Sequence, residues 1–262
     1  MDLGIAGKAA LVGGASSGIG LAVARSLAAE GARVALVARR EAETEAAAQA
    51  IREEFRVESL AISADLLREG ECERAVAEAA GRLGTLSIVI PNAGGPRAAP
   101  FSELTDADWE GAFRLSFLTT VRLVRAAIPH LQKGGGGSVV TIGSLVTQEP
   151  RPDLTLSSGV RTGLVALTRI LARRYGPDRI RVNMVSPGYT KTRRQVELAN
   201  AERERTGRSA EDVFHALAAD IPLGRLAEPE EIGSVVAFLC SERAAYVSGI
   251  NLLVDGGQAR GI

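Results

Sequence analysis

Residues 154–169 read LTLSSGVRTGLVALTR, which puts two hydroxyls and a guanidinium at the start of an amphipathic helical pattern. Ser157 and Arg161 stand one helical turn apart, so a helix places them on one face. A serine hydroxyl there can hydrogen-bond a carbonyl oxygen. It is a poor general acid, because an ionised aliphatic hydroxyl is far more basic than a phenolate, whose parent phenol titrates at about 10. Arg161 can supply positive charge and bind hydroxyl groups, but it gives up no proton near neutrality.

A second chemical stretch lies near the amino end. Gly14, Ser16, Ser17, Gly18, Ile19 and Gly20 belong to GGASSGIG, between an apolar run and a helical pattern. Gly14 permits a tight turn, Gly18 lets backbone approach a pyrophosphate, and Gly20 lets helix and strand pack closely. The free N–H groups of the helix start then face the phosphates. This predicts a dinucleotide cradle. At the end of the next apolar run the chain reads VALVARRE. Arg39 and Arg40 stand where a carboxylate usually meets the ribose 2′-hydroxyl of NAD, and a guanidinium fork suits a 2′-phosphate. The expected cofactor is therefore NADP(H) rather than NAD(H), with Glu41 still able to reach a ribose.

Seven short apolar runs are predicted as buried strands: 9–12, 33–37, 59–63, 86–90, 138–142, 181–185 and 251–254. Helical patterns fall between them at 19–30, 41–56, 69–82, 108–132, 157–175 and 229–240. This alternation predicts an α/β doubly wound parallel sheet covered on both faces. The 262 residues suit one domain, 1–262, with a sizeable aliphatic core. Four glycines at 134–137 read as a flexible turn into the fifth strand. A charged helical insertion at about 193–221 follows the sixth strand, and it reads equally as a lid or as a solvated hairpin.

Thirty-one basic and thirty-one acidic side chains leave no global field to attract nucleic acid or an anionic membrane. Two distant cysteines, Cys72 and Cys240, suggest neither a metal site nor a disulfide framework and fit a reducing cytoplasm. No signal or membrane-spanning pattern is visible.

Together these pieces resemble the short-chain dehydrogenase/reductase family over nearly the whole chain. GGASSGIG is similar to the family's TGxxxGIG, with Gly13 in place of Thr. SADL supplies Asp65, which matches the residue set against the adenine, with Leu66 beside it. PNAG, with Asn92, Ala93 and Gly94, is similar to the family's NNAG. NMVSPGYTKT brings Pro187, Gly188, Thr190 and Thr192 to the cofactor, with Thr192 meeting the nicotinamide carboxamide. The carboxyl-terminal run resembles that of 3-oxoacyl-carrier-protein reductases. The resemblance implies a Rossmann-type sheet in the order 3-2-1-4-5-6-7 and a homotetramer built through the long helices and the carboxyl-terminal segment.

The family's reaction uses Ser, Tyr, Lys and Asn. Ser144 matches the Ser. The resemblance places Ser157 at the Tyr, Arg161 at the Lys and Ser116 at the Asn, and no realignment recovers YxxxK. Halohydrin dehalogenases carry Arg at the Lys position too, but they keep the Tyr and lose the glycine motif. Tyr189, Glu149 and Asp153 are candidate replacement proton donors. His130 and His215 read as structural or exposed. The expected function is NADP(H)-dependent interconversion of a ketone and a secondary alcohol, 3-oxoacyl-type or a similar small carbonyl, at a degenerate centre. The alternative is an NADP(H)-binding homologue without turnover, acting as a sensor module or partner subunit.

Overall fold

Aliphatic runs with side chains buried on both sides make the seven strands of one parallel sheet. The computed structural model describes residues 2–207 and 209–261; Arg208, within the predicted lid, lies outside the described residues. The strands are β1 (Ala9–Gly13), β2 (Arg33–Ala38), β3 (Ser59–Ser63), β4 (Leu86–Ile90), β5 (Gly137–Ile142), β6 (Ile180–Pro187) and β7 (Asn251–Val254). Their order is β3-β2-β1-β4-β5-β6-β7, and every pairing is parallel. This is the expected α/β architecture. One strand departs from the expectation of burial. β7 is only half buried, because it closes one edge of the sheet and has a neighbour on one side alone.

Successive strand residues alternate between two cores. Ala10, Val12, Val34 and Leu36 join one face; Ala9, Leu11, Ala35 and Val37 join the other. Helices α1 (Gly18–Ala29), α2 (Glu41–Phe55) and α9 (Pro229–Cys240) cover the first face. Helices α3 (Glu71–Leu83), α5 (Thr119–Lys133) and α6 (Thr155–Tyr175) cover the second. Each fully buried Leu, Ile or Val stabilises the fold by about 1.5–3 kcal/mol. Both cysteines are buried in these cores, and burial pushes the thiols up, Cys72 to about 11 and Cys240 to about 12.

The expected single helix at 108–132 is three segments. Helix α4 (Asp106–Ala112) begins two residues earlier than predicted, at a reciprocal cap between Thr105 and Asp108. A π-helix follows over Phe113–Leu118, and then α5. The Thr119 N–H reaches back five residues to the Arg114 carbonyl, and the Thr119 hydroxyl bonds the same oxygen at 2.8 Å. The glycine turn leads into β5 through closely packed backbone: a Cβ on Gly136 would lie 2.6 Å from the Arg179 carbonyl oxygen. Residues 193–221 form α7 (Arg193–Thr206) and α8 (Ala210–Ala219). Among the described residues, no helix is long and apolar enough to cross a membrane.

Candidate functional site

The carboxyl ends of β1, β4, β5 and β6 converge on one edge of the sheet, where ligands bind in open α/β folds. At β1 the chain turns through Gly14, whose φ of +58° lies in the left-handed region that favours glycine and where a Cβ would meet Asn92 Nδ2 at 2.8 Å. Helix α1 then starts so close that a Cβ on Gly20 would lie 2.3 Å from the Gly14 carbonyl oxygen. Asn92, just after β4, donates from Nδ2 to the Gly13 carbonyl at 3.0 Å and ties the two strand ends together. Ala93 follows half-buried, and Ile19 packs against the core below the loop. Gly20→Ala drives a methyl group into the Gly14 backbone. It is expected to weaken dinucleotide binding at least tenfold and to lower the melting temperature, read by nucleotide titration and thermal unfolding.

At the end of β2, Arg40 donates from Nη2 to Ser16 Oγ and Ser17 Oγ, both at 3.1 Å. Its other terminal nitrogen lies 2.8 Å from Glu43. Arg39 is exposed and has no partner among the described residues. One guanidinium group, that of Arg40, thus holds the hydroxyls of the glycine loop, with Arg39 beside it in the chain. Asp65 accepts from the Leu67 N–H at 3.2 Å, and Leu66 is buried beneath it. Thr192 caps α7 by accepting from the Gln195 N–H at 3.3 Å. Its methyl group would lie 3.4 Å from a Cβ on Gly18, so the segment leaving β6 crosses to the glycine loop. Thr190 donates to the Gly188 carbonyl at 3.1 Å, which shapes the turn after Pro187. The glycine cradle, the paired cations and the free helix start fit a phosphorylated dinucleotide.

The other half of the site follows β5. Ser144 is half-buried, and its hydroxyl is only 3.5 Å from the Val146 N–H, a weak contact that leaves it available. A chain of hydrogen bonds fixes the turn behind it. Ser186 donates to Asn251 Oδ1 at 2.7 Å, Asn251 Nδ2 donates to Thr147 Oγ1 at 3.1 Å, and Thr147 donates to the Ser144 carbonyl at 2.9 Å. Helix α6 packs on this turn. It starts two residues before the predicted Ser157, so Ser157 lies in its first turn, half-buried. The Ser157 hydroxyl makes no hydrogen bond among the described residues. Ser158 is the structural one of the pair: it is buried and accepts from the Arg151 N–H at 3.2 Å.

Arg161 is 7% exposed and reaches under both loops. Its Nη1 donates to the carbonyls of Ile142 at 3.3 Å and Gly143 at 3.1 Å, the residues just before Ser144. Its Nη2 donates to the Gly94 carbonyl at 3.2 Å, and its Nε–H has no partner. Burial, and next the charge of Arg194, hold its pKa down at about 10. It is still a cation at neutral pH. Ser116 lies in the π-helix, 3% exposed, with its hydroxyl unpartnered.

The candidate proton donors are placed less favourably. Burial pushes the Tyr189 phenol up, against the opposing pull of the Arg151 cation. It therefore holds its proton more tightly than an ordinary tyrosine. Glu149 accepts from the Arg260 N–H at 2.7 Å, and Asp153 is exposed and paired with Arg151 at 3.6 Å. His215 is exposed on α8 and His130 ends α5, both away from the Ser144 turn.

Three residues or groups escaped the sequence reading. The Arg151 guanidinium stacks on the Tyr189 ring, 5.4 Å from its centroid, and reaches Asp220 at 3.4 Å. Arg194, at the start of α7, donates to the Pro96 carbonyl at 2.7 Å across the cleft. The Ser186–Asn251–Thr147 chain is the third. Each joins segments far apart in sequence, and none has a local signature.

A sequence profile described as enoyl-(acyl carrier protein) reductase matches residues 14–259. The chain is 34% identical over 256 residues to a 3-oxoacyl-[acyl-carrier-protein] reductase of Pseudomonas aeruginosa, covering 98% of this chain and 99% of the relative. The structure of L-sorbose reductase from Gluconobacter frateurii, complexed with NADPH and L-sorbose, superposes with a TM-score of 0.95 at 32% identity over 100% of both chains. An NADPH-bound short chain oxidoreductase from Pseudomonas aeruginosa PAO1, described as containing an atypical catalytic center, superposes with a TM-score of 0.90 at 31% identity over 99% of both chains.

Proposed function

Because the chain belongs to the short-chain dehydrogenase/reductase family, we propose that it is an NADP(H)-dependent oxidoreductase that interconverts a ketone and a secondary alcohol without a side-chain phenol. The observation that carries the reading is the pair of arginines after β2, where Arg40 bridges Ser16 and Ser17 and the neighbouring exposed Arg39 has no partner among the described residues. A chain that kept no use for a phosphorylated dinucleotide would have no need of two guanidinium groups there. The NADPH complexes of the sorbose reductase and of the Pseudomonas oxidoreductase support it.

When bound, the dinucleotide supplies or accepts the hydride. The chain's own residues handle the oxygen. Ser144 and Ser157 donate hydrogen bonds to the carbonyl oxygen as it gains negative charge. Arg161, buried behind the Ser144 turn, stabilises that charge through the low-dielectric interior without moving a proton. In reduction the proton comes from water reaching the half-buried Ser157. Ser144→Ala removes a donor at the point of charge development. It is expected to lower kcat/KM about 100-fold with NADPH affinity unchanged, measured on a panel of ketones and acyl thioesters. An unaltered kcat/KM would place the chemistry elsewhere.

A second reading, an NADP(H)-binding homologue without turnover, draws on Arg161. Three backbone carbonyls occupy its terminal nitrogens, which leaves it less free to serve a ribose or a proton path. The two readings separate by turnover: tight NADPH binding with no reaction on any carbonyl favours the second. For assembly, the long helices are the favoured contact of a homotetramer. Ile170 is exposed on α6 and Phe113 on the π-helix that leads into α5, and Trp109, Phe117, Gly159 and Gly163 line an apolar groove between that segment and α6.

A further inference from the structure

The nicotinamide end of the cleft carries more positive charge than the dinucleotide can use. Arg161 and Arg194 approach the same three-residue stretch from opposite sides. Arg161 bonds the Gly94 carbonyl and Arg194 the Pro96 carbonyl, while a Cβ on the intervening Gly95 would lie 3.5 Å from Arg194 Nε. Neither guanidinium pairs with a carboxylate among the described residues. Their charges are close enough for Arg194 to oppose the ionisation of the buried Arg161.

The negative charge of a phosphorylated dinucleotide is served elsewhere. Its pyrophosphate belongs at the start of α1, and its 2′-phosphate at Arg39 and Arg40. A nicotinamide and its ribose bring no anion to the other end. Two guanidinium groups with no carboxylate partner among the described residues, one of them buried, therefore call for an anion from the second ligand. Arg194 is half-buried at the start of α7 and is the one of the two that a ligand can reach, while Arg161 is buried behind Gly94 and contributes charge at a distance. A carboxylate is the small anion whose shape matches a guanidinium edge.

Resting on the oxidoreductase reading, we propose that the substrate is an anionic carbonyl compound, an oxo acid or the corresponding hydroxy acid. Its carboxylate pairs with Arg194, with the buried Arg161 cation adding field from behind Gly94, and its carbonyl points to Ser144. In the reducing direction the hydride and one proton add across the C=O bond, and the carboxylate is unchanged. The lid helix α7 thus supplies the residue that selects charge.

The test compares 2-oxo and 3-oxo acids of four to six carbons with their methyl esters. Binding to the NADP⁺-loaded protein is followed by calorimetry, and turnover is followed by NADPH absorbance. Wild type is expected to favour the acid over its ester by about 10- to 100-fold, and Arg194→Gln to reduce that preference to about threefold or less. Arg194→Lys, which keeps the charge but loses the fork, should restore part of it. Equal affinity for acid and ester, or no binding of any acid, would overturn the proposal even if neutral ketones are reduced. An Arg194→Gln variant that loses NADPH affinity but keeps the acid preference would overturn it too, since Arg194 would then serve the cofactor. Acid binding without turnover would leave the anion site standing and remove the oxidoreductase reading.

Discussion

Ser157→Tyr combined with Arg161→Lys is expected to raise turnover by about 10²- to 10⁴-fold, the value of a positioned general acid. Ser157 lies in the first turn of α6, half-buried, with a hydroxyl that no neighbour claims. A phenol grown from this position can extend toward the Ser144 turn on which α6 packs. A cation one turn further on then draws its titration down toward working pH. The gain has a structural cost. Arg161 holds Ile142, Gly143 and Gly94 together through three hydrogen bonds. A lysine offers one nitrogen on a flexible stem and cannot span all three. Losing one or two of these bonds costs about 1–3 kcal/mol, so the double variant should melt several degrees lower while turning over faster. Burial already brings the Arg161 guanidinium down to about 10, so a lysine there should titrate below its ordinary range. The rate gain should therefore fade as pH rises and that lysine loses its proton. Steady-state rates against pH, with thermal unfolding of the same samples, check all three points. If the double variant reacts and wild type does not, the natural protein binds its cofactor without chemistry.

Arg39→Ala with Arg40→Ala is expected to weaken NADPH about 10²- to 10⁴-fold while changing NADH by no more than a few fold. Each charge-assisted bond to a 2′-phosphate is worth about 1.5–3 kcal/mol, and two of them give that range. The two residues should not contribute equally. Arg39 has no partner among the described residues, whereas Arg40 shares its charge with Glu43 and is already held on the two serine hydroxyls. Arg39→Ala alone should act mainly on NADPH. Arg40→Ala should also loosen the Ser16–Ser17 loop and cost some NADH affinity. Fluorescence titration of both nucleotides against the three variants reads this directly. A wild type that prefers NADH would reject the assignment.

Periodicity and glycine placement made the sheet legible. Seven apolar runs separated by helical patterns leave few other arrangements, and Gly14 and Gly20 sit where backbone contact excludes a side chain. Within the candidate site, spacing alone groups only residues that are close in the chain, whereas Ser116 and Ser144 enter through the family resemblance. Ser157 and Arg161 share a helix face by spacing alone, and Arg39 with Arg40 follows a strand. The contacts that hold Ser144 run from β7 to the β5 turn, across 104 residues, and Arg194 meets Pro96 across 98. Such polar contacts leave no period in the sequence. They depend on which strand ends lie side by side, and the order of the sheet decides that. The commitment of Arg161 to backbone carbonyls was equally hidden, because composition does not say which way a buried guanidinium points.

The π-helix between α4 and α5 resets the phase of one long rod. Each residue of an α-helix turns it by about 100°, so one extra residue per turn swings everything beyond it by that angle. The Leu123, Val124, Ala127 and Leu131 stripe is aimed at the sheet, while Ser116 is aimed inward from the wider turn itself. The two halves are therefore indexed separately. Substitutions at Leu115, which lines a pocket with Gly95 and Pro96, can reshape that wall without rotating the core stripe. Deleting one residue from Phe113–Leu118 would merge the halves into a single register, and either the stripe or that wall would then have to face the wrong way.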